Sequence, residues 1–122
     1  MKTERINLYE YFGVEKPSTA AGELEIYIPS RHREYGENRK RPAILVIPGG
    51  GYEYTSEREA EPVALKFLTQ GYCAFVLYYS CKPNKYPLAI QEAGMAMAYI
   101  RENAEKYGIK EDNVASIGFS AG

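Results

Sequence analysis

The sequence predicts an α/β fold, a mostly parallel sheet flanked by helices, and three observations carry that prediction. Residues 43–48 (AILVIP) and 72–78 (YCAFVLY) are apolar on successive rather than alternate positions, as in strands covered on both faces. A helix-period segment follows each run, and a third run, residues 114–119 (VASIGF), closes the series. Strand–helix–strand–helix–strand with crossovers longer than a dozen residues returns each strand parallel to the last.

The elements follow in order. Residues 23–29 (ELEIYIP) set Leu24, Ile26 and Ile28 against Glu23, Glu25 and Tyr27, the alternation of a half-buried antiparallel strand. Residues 5–9 are its expected partner, giving an antiparallel N-terminal strand pair. Residues 31–42 carry six basic side chains counting His32 and read as an exposed loop, either a solvated surface or a binding patch. The run 43–48 is closed by Gly49-Gly50-Gly51. Ala60, Val63, Ala64, Phe67 and Leu68 then share one helix face. That helix has two possible starts. Ser56 and Glu59 fit a capping box but leave Pro62 inside the helix; otherwise the helix begins near Glu61, or a separate turn precedes it. Gly71 stops it.

After the strand 72–78, Pro87 suits the first turn of a long helix that ends near Tyr107, with Gly108 as its stop. Glu102 and Lys106 form a favourable i,i+4 pair on its outer side. Gly94 costs about 1 kcal/mol there relative to Ala, and close packing against the sheet is the expected return. Asp112 and Asn113 turn the chain into the strand 114–119.

Composition narrows the function classes. The 122 residues are 45% apolar and 25% charged, ordinary for a globular domain and unlike a disordered or disulfide-dense chain. Fifteen Lys and Arg against sixteen Asp and Glu leave a net charge of −1, which offers no field for nucleic acid or an anionic membrane. No apolar run approaches the roughly 20 residues of a spanning helix, and Met1 to Arg5 lead into polar sequence without a signal-peptide block, so the expected location is cytoplasmic. Two cysteines and one histidine suit neither a zinc site nor an imidazole-rich metal centre. No cofactor or metal is expected, and composition sets no oligomeric state.

Two glycine-rich segments carry the chemistry. Gly118-Phe119-Ser120-Ala121-Gly122 is a G-x-S-x-G sequence placed directly after a predicted buried strand. There the motif sets serine on a sharp strand-to-helix turn, with its hydroxyl above the carboxyl edge of the sheet; the plain alternative is a glycine-rich turn. Pro48-Gly49-Gly50-Gly51-Tyr52 follows the first buried strand. Glycines there let the main chain approach a substrate and present N–H donors to the oxyanion of acyl transfer. A phosphate cradle and a structural turn are the other readings. The loop lacks the Gly-Lys-Ser/Thr of a Walker sequence, and Tyr54 occupies the place of the last glycine in a dinucleotide fingerprint. Ligands of α/β sheets bind outside the carboxyl ends of the strands, so this fold brings both segments to one mouth.

From about Arg41 to Gly122 the chain resembles the α/β-hydrolase superfamily, in particular its acetyl-esterase and lipase-like branch with an H-G-G-G motif ahead of G-x-S-A-G. Some relatives acting on acetylated sugars carry P-G-G-G-Y, as here. The resemblance implies an α/β-hydrolase fold truncated after the nucleophile elbow, with residues 1–122 as the N-terminal half of a single domain. It implies Ser120 as nucleophile, the backbone N–H groups of Gly50, Gly51 and Ala121 as oxyanion donors, and a small-molecule ester as substrate. Short acyl esters, acetylated carbohydrates among them, are the expected substrates. Tyr52 and Tyr54 are candidates for the substrate pocket. Pro48 replaces the histidine of H-G-G-G and cannot imitate its side chain.

Family triads run Ser, then Asp or Glu, then His, so neither partner is expected within residues 1–122. His32 precedes the serine and reads as a solvated loop residue. The chain alone is therefore expected to be inactive, since a serine hydroxyl without a base is a poor nucleophile. A peptidase of the same fold and a non-catalytic half-domain binding a partner chain are the alternatives. The strand 114–119 is expected to carry exposed apolar surface and an open edge.

Cys73 reads as a small buried hydrophobe, Cys81 as a more exposed loop residue, and Met95, Met97 and Ile100 as core. Tyr52, Tyr54, Tyr78, Tyr79 and Tyr86 fall on loops or strand ends near the expected mouth, where sugar stacking and ordinary packing are both compatible with them.

Overall fold

The computed structural model describes residues 1–29, 40–49, 57–81 and 88–118. Among these, five strands form one sheet: β1 (Lys2–Asn7), β2 (Glu23–Ile28), β3 (Arg41–Ile47), β4 (Cys73–Tyr78) and β5 (Ile109–Gly118), in the spatial order β1-β2-β4-β3-β5. β3 is parallel to both β4 and β5, while β2 is antiparallel to β1 and β4. Four of these strands thus run one way and β2 runs against them, which is the expected sheet with its antiparallel N-terminal pair.

The N-terminal partner strand differs from expectation at its end. Leu8 and Tyr9 leave the sheet and open a short helix, α1 (Leu8–Phe12). Asn7 causes the change: its Oδ1 accepts from the N–H groups of Tyr9 and Glu10 at 3.0 and 3.3 Å, satisfying donors that a first helical turn leaves open.

Arg41 and Pro42, read from sequence as the end of the polar loop, instead begin β3; residues 31–39 lie outside the described residues. Pro42 stands where pairing with β5 slips. Arg41 is opposite Ile109 and Ala43 opposite Val114, so residues 110–113 bulge past a proline that has no N–H to offer the ladder. The expected turn at Asp112 and Asn113 is this bulge within β5. As expected, β5 lies at an edge of the described sheet, with Ala115 and Ser116 exposed.

Helix α2 (Glu61–Thr69) begins with Pro62 in its first turn and follows a single 3-10 turn at Glu57–Glu59. The helix start near Glu61 and the separate turn therefore occur together. Ala60 is the N-cap with no side-chain cap bond, so Glu59 does not serve the capping box; Ser56 lies outside the described residues. Helix α3 (Leu88–Glu102) and helix α4 (Ala104–Tyr107) replace the single long helix. The interruption falls at Asn103, whose φ of −106° and ψ of 12° leave the helical range although its N–H still donates to Tyr99 O at 3.0 Å. Its side-chain amide also donates to Tyr99 O at 2.9 Å and to Tyr11 Oη at 3.0 Å. The Glu102–Lys106 pair is lost with the break. Glu102 instead accepts from Tyr11 Oη at 3.4 Å, and the Lys106 ammonium lies 5.2 Å from the centre of the Tyr107 ring.

Two cores cover the sheet. Ala43, Leu45, Cys73, Phe75 and Leu77 pack with Ala96, Tyr99 and Ile100 of α3 and with Tyr107 of α4. Their alternates Ile44, Val46, Ala74 and Val76 pack with Ala60 and Ala64, and Val63, Phe67 and Leu68 close that layer. The strand period of two thus feeds a helix layer on each face. Met95 and Met97 pack against the first core as expected. Gly94 does not pack against the sheet: it is exposed, with nothing within 4 Å of where its Cβ would stand. The buried positions Glu92, Ala96, Tyr99 and Ile100 fix the helix phase, and Gly94 lies on the other side.

Candidate active site

The two motif-bearing segments leave adjacent strands. β3 ends at Ile47 and continues into Pro48 and Gly49, while β5 reaches Gly118. In the parallel register Ile47 is the partner of Gly118. The chain therefore quits both strands from the same carboxyl edge and at the same level. Ser120 and Ala121, Gly50 and Gly51, and the pocket candidates Tyr52 and Tyr54 lie outside the described residues, as do His32 and Tyr86.

The base of the glycine loop is held by two side chains. Pro48 is fully buried, and its carbonyl accepts from Tyr79 Oη at 2.5 Å. The N–H of Gly49 donates to Glu59 Oε1 at 2.9 Å. Glu59 comes from the 3-10 turn ahead of α2, and Tyr79 directly follows β4, so two elements converge on two consecutive residues at the end of β3. Sequence reasoning missed both roles. A signal for Glu59 was present: Pro62 conflicts with a Ser56–Glu59 cap, and that conflict frees the carboxylate for another partner. Tyr79 is 3% exposed, and so does not serve as an open wall of the mouth. Tyr78 is half-buried, with the Arg5 guanidinium 4.4 Å above its ring.

A second buried cluster stands at the end of β4, on the same sheet edge. Glu92 of α3 is fully buried. Its Oε1 accepts from the Ser80 N–H at 2.6 Å, and its Oε2 accepts from Ser80 Oγ at 2.5 Å and from Tyr9 Oη at 2.6 Å. Ser80 Oγ in turn accepts from the Ala21 N–H at 2.9 Å. A carboxylate at a sheet-facing helix position, four residues before Ala96, was the sequence signal for this cluster.

The cluster perturbs its neighbours. Burial, then the Glu92 hydrogen bond and charge, push the Tyr9 phenol far above its ordinary value. Burial and the Glu92 charge also push the Cys81 thiol up, which keeps it from the thiolate that redox chemistry needs. Cys73 is fully buried, as its sequence reading required. Among the described residues no group of three or more His, Cys, Asp or Glu is gathered for a metal ion, and no helix is long and apolar enough to cross a membrane.

Comparison with known proteins agrees with this architecture. The BD-FAE family model matches residues 24–122. The chain is 39% identical over 94 residues to endo-1,4-beta-xylanase B of Butyrivibrio fibrisolvens, covering 72% of this chain and 14% of that protein. It superimposes with a TM-score of 0.87 and 39% identity on MGS-M1, an alpha/beta hydrolase enzyme from a Medee basin deep-sea metagenome library, covering 100% of this chain and 48% of that one. The acetyl ester-xyloside bifunctional hydrolase of Caldicellulosiruptor lactoaceticus gives a TM-score of 0.82 and 31% identity, covering 97% and 43%. The chain thus spans about half the length of these solved structures and a smaller share of the xylanase.

Proposed function

This chain belongs to the BD-FAE family of α/β-hydrolases, and from that premise we propose that it carries the nucleophile half of a serine esterase acting on short acyl esters of carbohydrates. Residues 1–122 form the N-terminal half of one hydrolase domain in this reading, and the acid and base of the triad come from sequence outside them. The observation that carries it is the register partnership of Ile47 and Gly118, which starts the P-G-G-G-Y and G-F-S-A-G segments side by side at one carboxyl edge. The solved relative that hydrolyses an acetyl ester and a xyloside supports the substrate class.

In the reaction Ser120 Oγ attacks the ester carbonyl while a general base takes its proton. The N–H groups of Gly50, Gly51 and Ala121 meet the negative oxygen of the tetrahedral intermediate, where fixed donors act more strongly than water does. Collapse expels the alcohol and leaves an acyl-serine, which water then hydrolyses. Tyr52 and Tyr54, which follow the glycines in sequence, are the candidates for contact with the acyl or sugar side of the ester.

The test is turnover of p-nitrophenyl acetate and of acetylated xylo-oligosaccharide by the native gene product. A Ser120→Ala variant and an intact-mass search for a fluorophosphonate adduct accompany it. The expected outcome is a single adduct on Ser120 and the loss of activity on both substrates in Ser120→Ala. Undiminished activity in a folded Ser120→Ala protein would overturn the proposal.

A further inference from the structure

We infer that Glu59 and Tyr79 are positioning residues for the oxyanion loop, clamping Pro48 and Gly49 so that the N–H groups of Gly50 and Gly51 are left for the reacting oxygen; this rests on the esterase reading of the site. The two contacts hold the two polar groups of a single peptide unit, its carbonyl and its N–H. Tyr79 Oη donates a hydrogen bond to the Pro48 carbonyl, and Glu59 Oε1 accepts one from the Gly49 N–H. Between them they fix the peptide plane that joins Pro48 to Gly49, and with it the direction in which the chain enters the next two glycines.

A run of three glycines needs such a device. Glycine lets the main chain approach the substrate, but it carries the largest backbone freedom of any residue. Oxyanion donors act through preorganisation, and donors that reorient during the reaction lose most of their effect. Pro48 stiffens the approach to the loop through its fixed φ, and the two side chains fix the step after it. The same geometry removes one candidate donor: the Gly49 N–H is occupied by a carboxylate, so the first glycine of the triplet serves the clamp and the second and third serve the substrate.

Neither side chain is in place by chance of local sequence. Glu59 lies ten residues and Tyr79 thirty-one residues from its partner in the loop. Each belongs to an element packed into a different part of the sheet. Tyr79 joins the core that includes α3, and Ala60, next to Glu59, joins the core that includes α2. The clamp therefore ties the loop to both layers of the domain.

The test compares Glu59→Ala, Glu59→Gln and Tyr79→Phe in the native gene product, with p-nitrophenyl acetate as substrate and a trifluoromethyl ketone as transition-state mimic. Misplacing donors should lower kcat by about tenfold to a hundredfold in Glu59→Ala and Tyr79→Phe. KM should move less than about threefold, and affinity for the ketone should fall in parallel with kcat/KM. Glutamine keeps an acceptor oxygen for Gly49, so Glu59→Gln should hold kcat within about threefold of the parent.

Parental kcat in folded Glu59→Ala and Tyr79→Phe proteins would overturn the inference, as would a fall in melting temperature with ketone affinity unchanged. If Glu59→Ala does not fold, Tyr79→Phe, which retains the buried ring, decides the matter. Ser120→Ala separates the two levels of argument. An inactive Ser120→Ala beside a fully active Glu59→Ala and Tyr79→Phe refutes the clamp alone, whereas an active Ser120→Ala refutes the esterase reading on which it rests.

Discussion

Glu92 holds Ser80 at two atoms, the backbone N–H through Oε1 and the hydroxyl through Oε2. Ser80 follows β4 at the carboxyl edge of the sheet, and Glu92 projects from α3, so the pair pins the exit of a central strand to the helix that covers it. Tyr9 adds its phenol to the same carboxylate, and the Ala21 N–H adds a donor to Ser80. The N-terminal segment is thereby locked to the centre of the domain through one buried acid.

Replacing that acid should be expensive in stability. Three donors converge on Glu92, and a glutamine there would turn its NH2 toward groups that themselves donate. Glu92→Gln should therefore destabilise the protein by about 2–4 kcal/mol, as removal of an acceptor from buried donors does. Glu92→Ala should cost at least as much, because it also leaves a cavity. Urea denaturation checks both; a change below about 0.5 kcal/mol, the scale of an ordinary surface substitution, would show that the network contributes little.

Gly22 is the second sensitive position in this cluster. Its φ is +65°, and a Cβ built on it would stand 2.5 Å from Tyr9 Cε2 and 3.4 Å from Glu92 Oε2. The ring cannot retreat without leaving its hydrogen bond to Glu92. Gly22→Ala is expected to lose about 1–3 kcal/mol from the combination of left-handed backbone and overpacking. In a Tyr9→Phe background the overpacking part of the cost should fall, since the ring is no longer held by its bond to Glu92, while the part due to the left-handed backbone should persist. Thermal melts of the two single variants and the double variant measure this directly.

The buried phenols predict a loss of stability on the alkaline side. Burial, with the charges of Glu25 and Glu61 adding to it, pushes Tyr27 up to about 12, and burial pushes Tyr9 and Tyr107 up further. An unfolded tyrosine ionises near 10. These groups bind their protons more tightly folded than unfolded, so their contribution is complete below about pH 10 and is lost as pH rises through 12 and beyond. A titration followed at 295 nm should show a delayed fraction of phenols that ionises together with the loss of near-ultraviolet circular dichroism. Ionisation of all tyrosines near pH 10 with the fold intact would contradict this.

Much of the scaffold was legible because its signals are local. Unbroken apolar runs marked β3, β4 and the end of β5, and the spacing of Ala60, Val63, Ala64 and Phe67 marked the buried side of α2. The misses have a common cause. Asn7, Asn103 and Glu59 each make hydrogen bonds that redirect the chain or anchor it, and such bonds depend on which groups tertiary contact brings near. Asn7 ends β1 by capping α1, Asn103 ties the junction of α3 and α4 to Tyr11, and Glu59 abandons a helix cap for Gly49. At the candidate site, the pairing of the two glycine segments followed from parallel topology alone. Its supports, Tyr79 and Glu59, could not be assigned without knowing that β4 and the turn before α2 flank the end of β3.

The direction of one hydrogen-bond chain makes a last prediction sharp. Tyr107 Oη donates to Glu4 Oε1 at 2.9 Å and lies 2.6 Å from Tyr99 Oη. A phenol has one proton, so with that of Tyr107 committed to Glu4, Tyr99 is the donor in the second bond. The two tyrosines are therefore unequal. Tyr107→Phe deprives Tyr99 of its acceptor and Glu4 of its donor, whereas Tyr99→Phe removes a donor and leaves Tyr107 still bonded to Glu4. Tyr107→Phe should cost about 1–3 kcal/mol and Tyr99→Phe about 1 kcal/mol or less. The double variant should fall short of the sum, because the bond between them is removed by either change. Tyr107 lies in α4, immediately ahead of the strand that leads to Ser120, and Glu4 lies in β1. Loss of this link should therefore lower hydrogen-exchange protection in β1 and at the start of β5 together. Loss of protection confined to β1 would show that the chain of phenols does not couple the N-terminal strand to the strand that carries the serine motif.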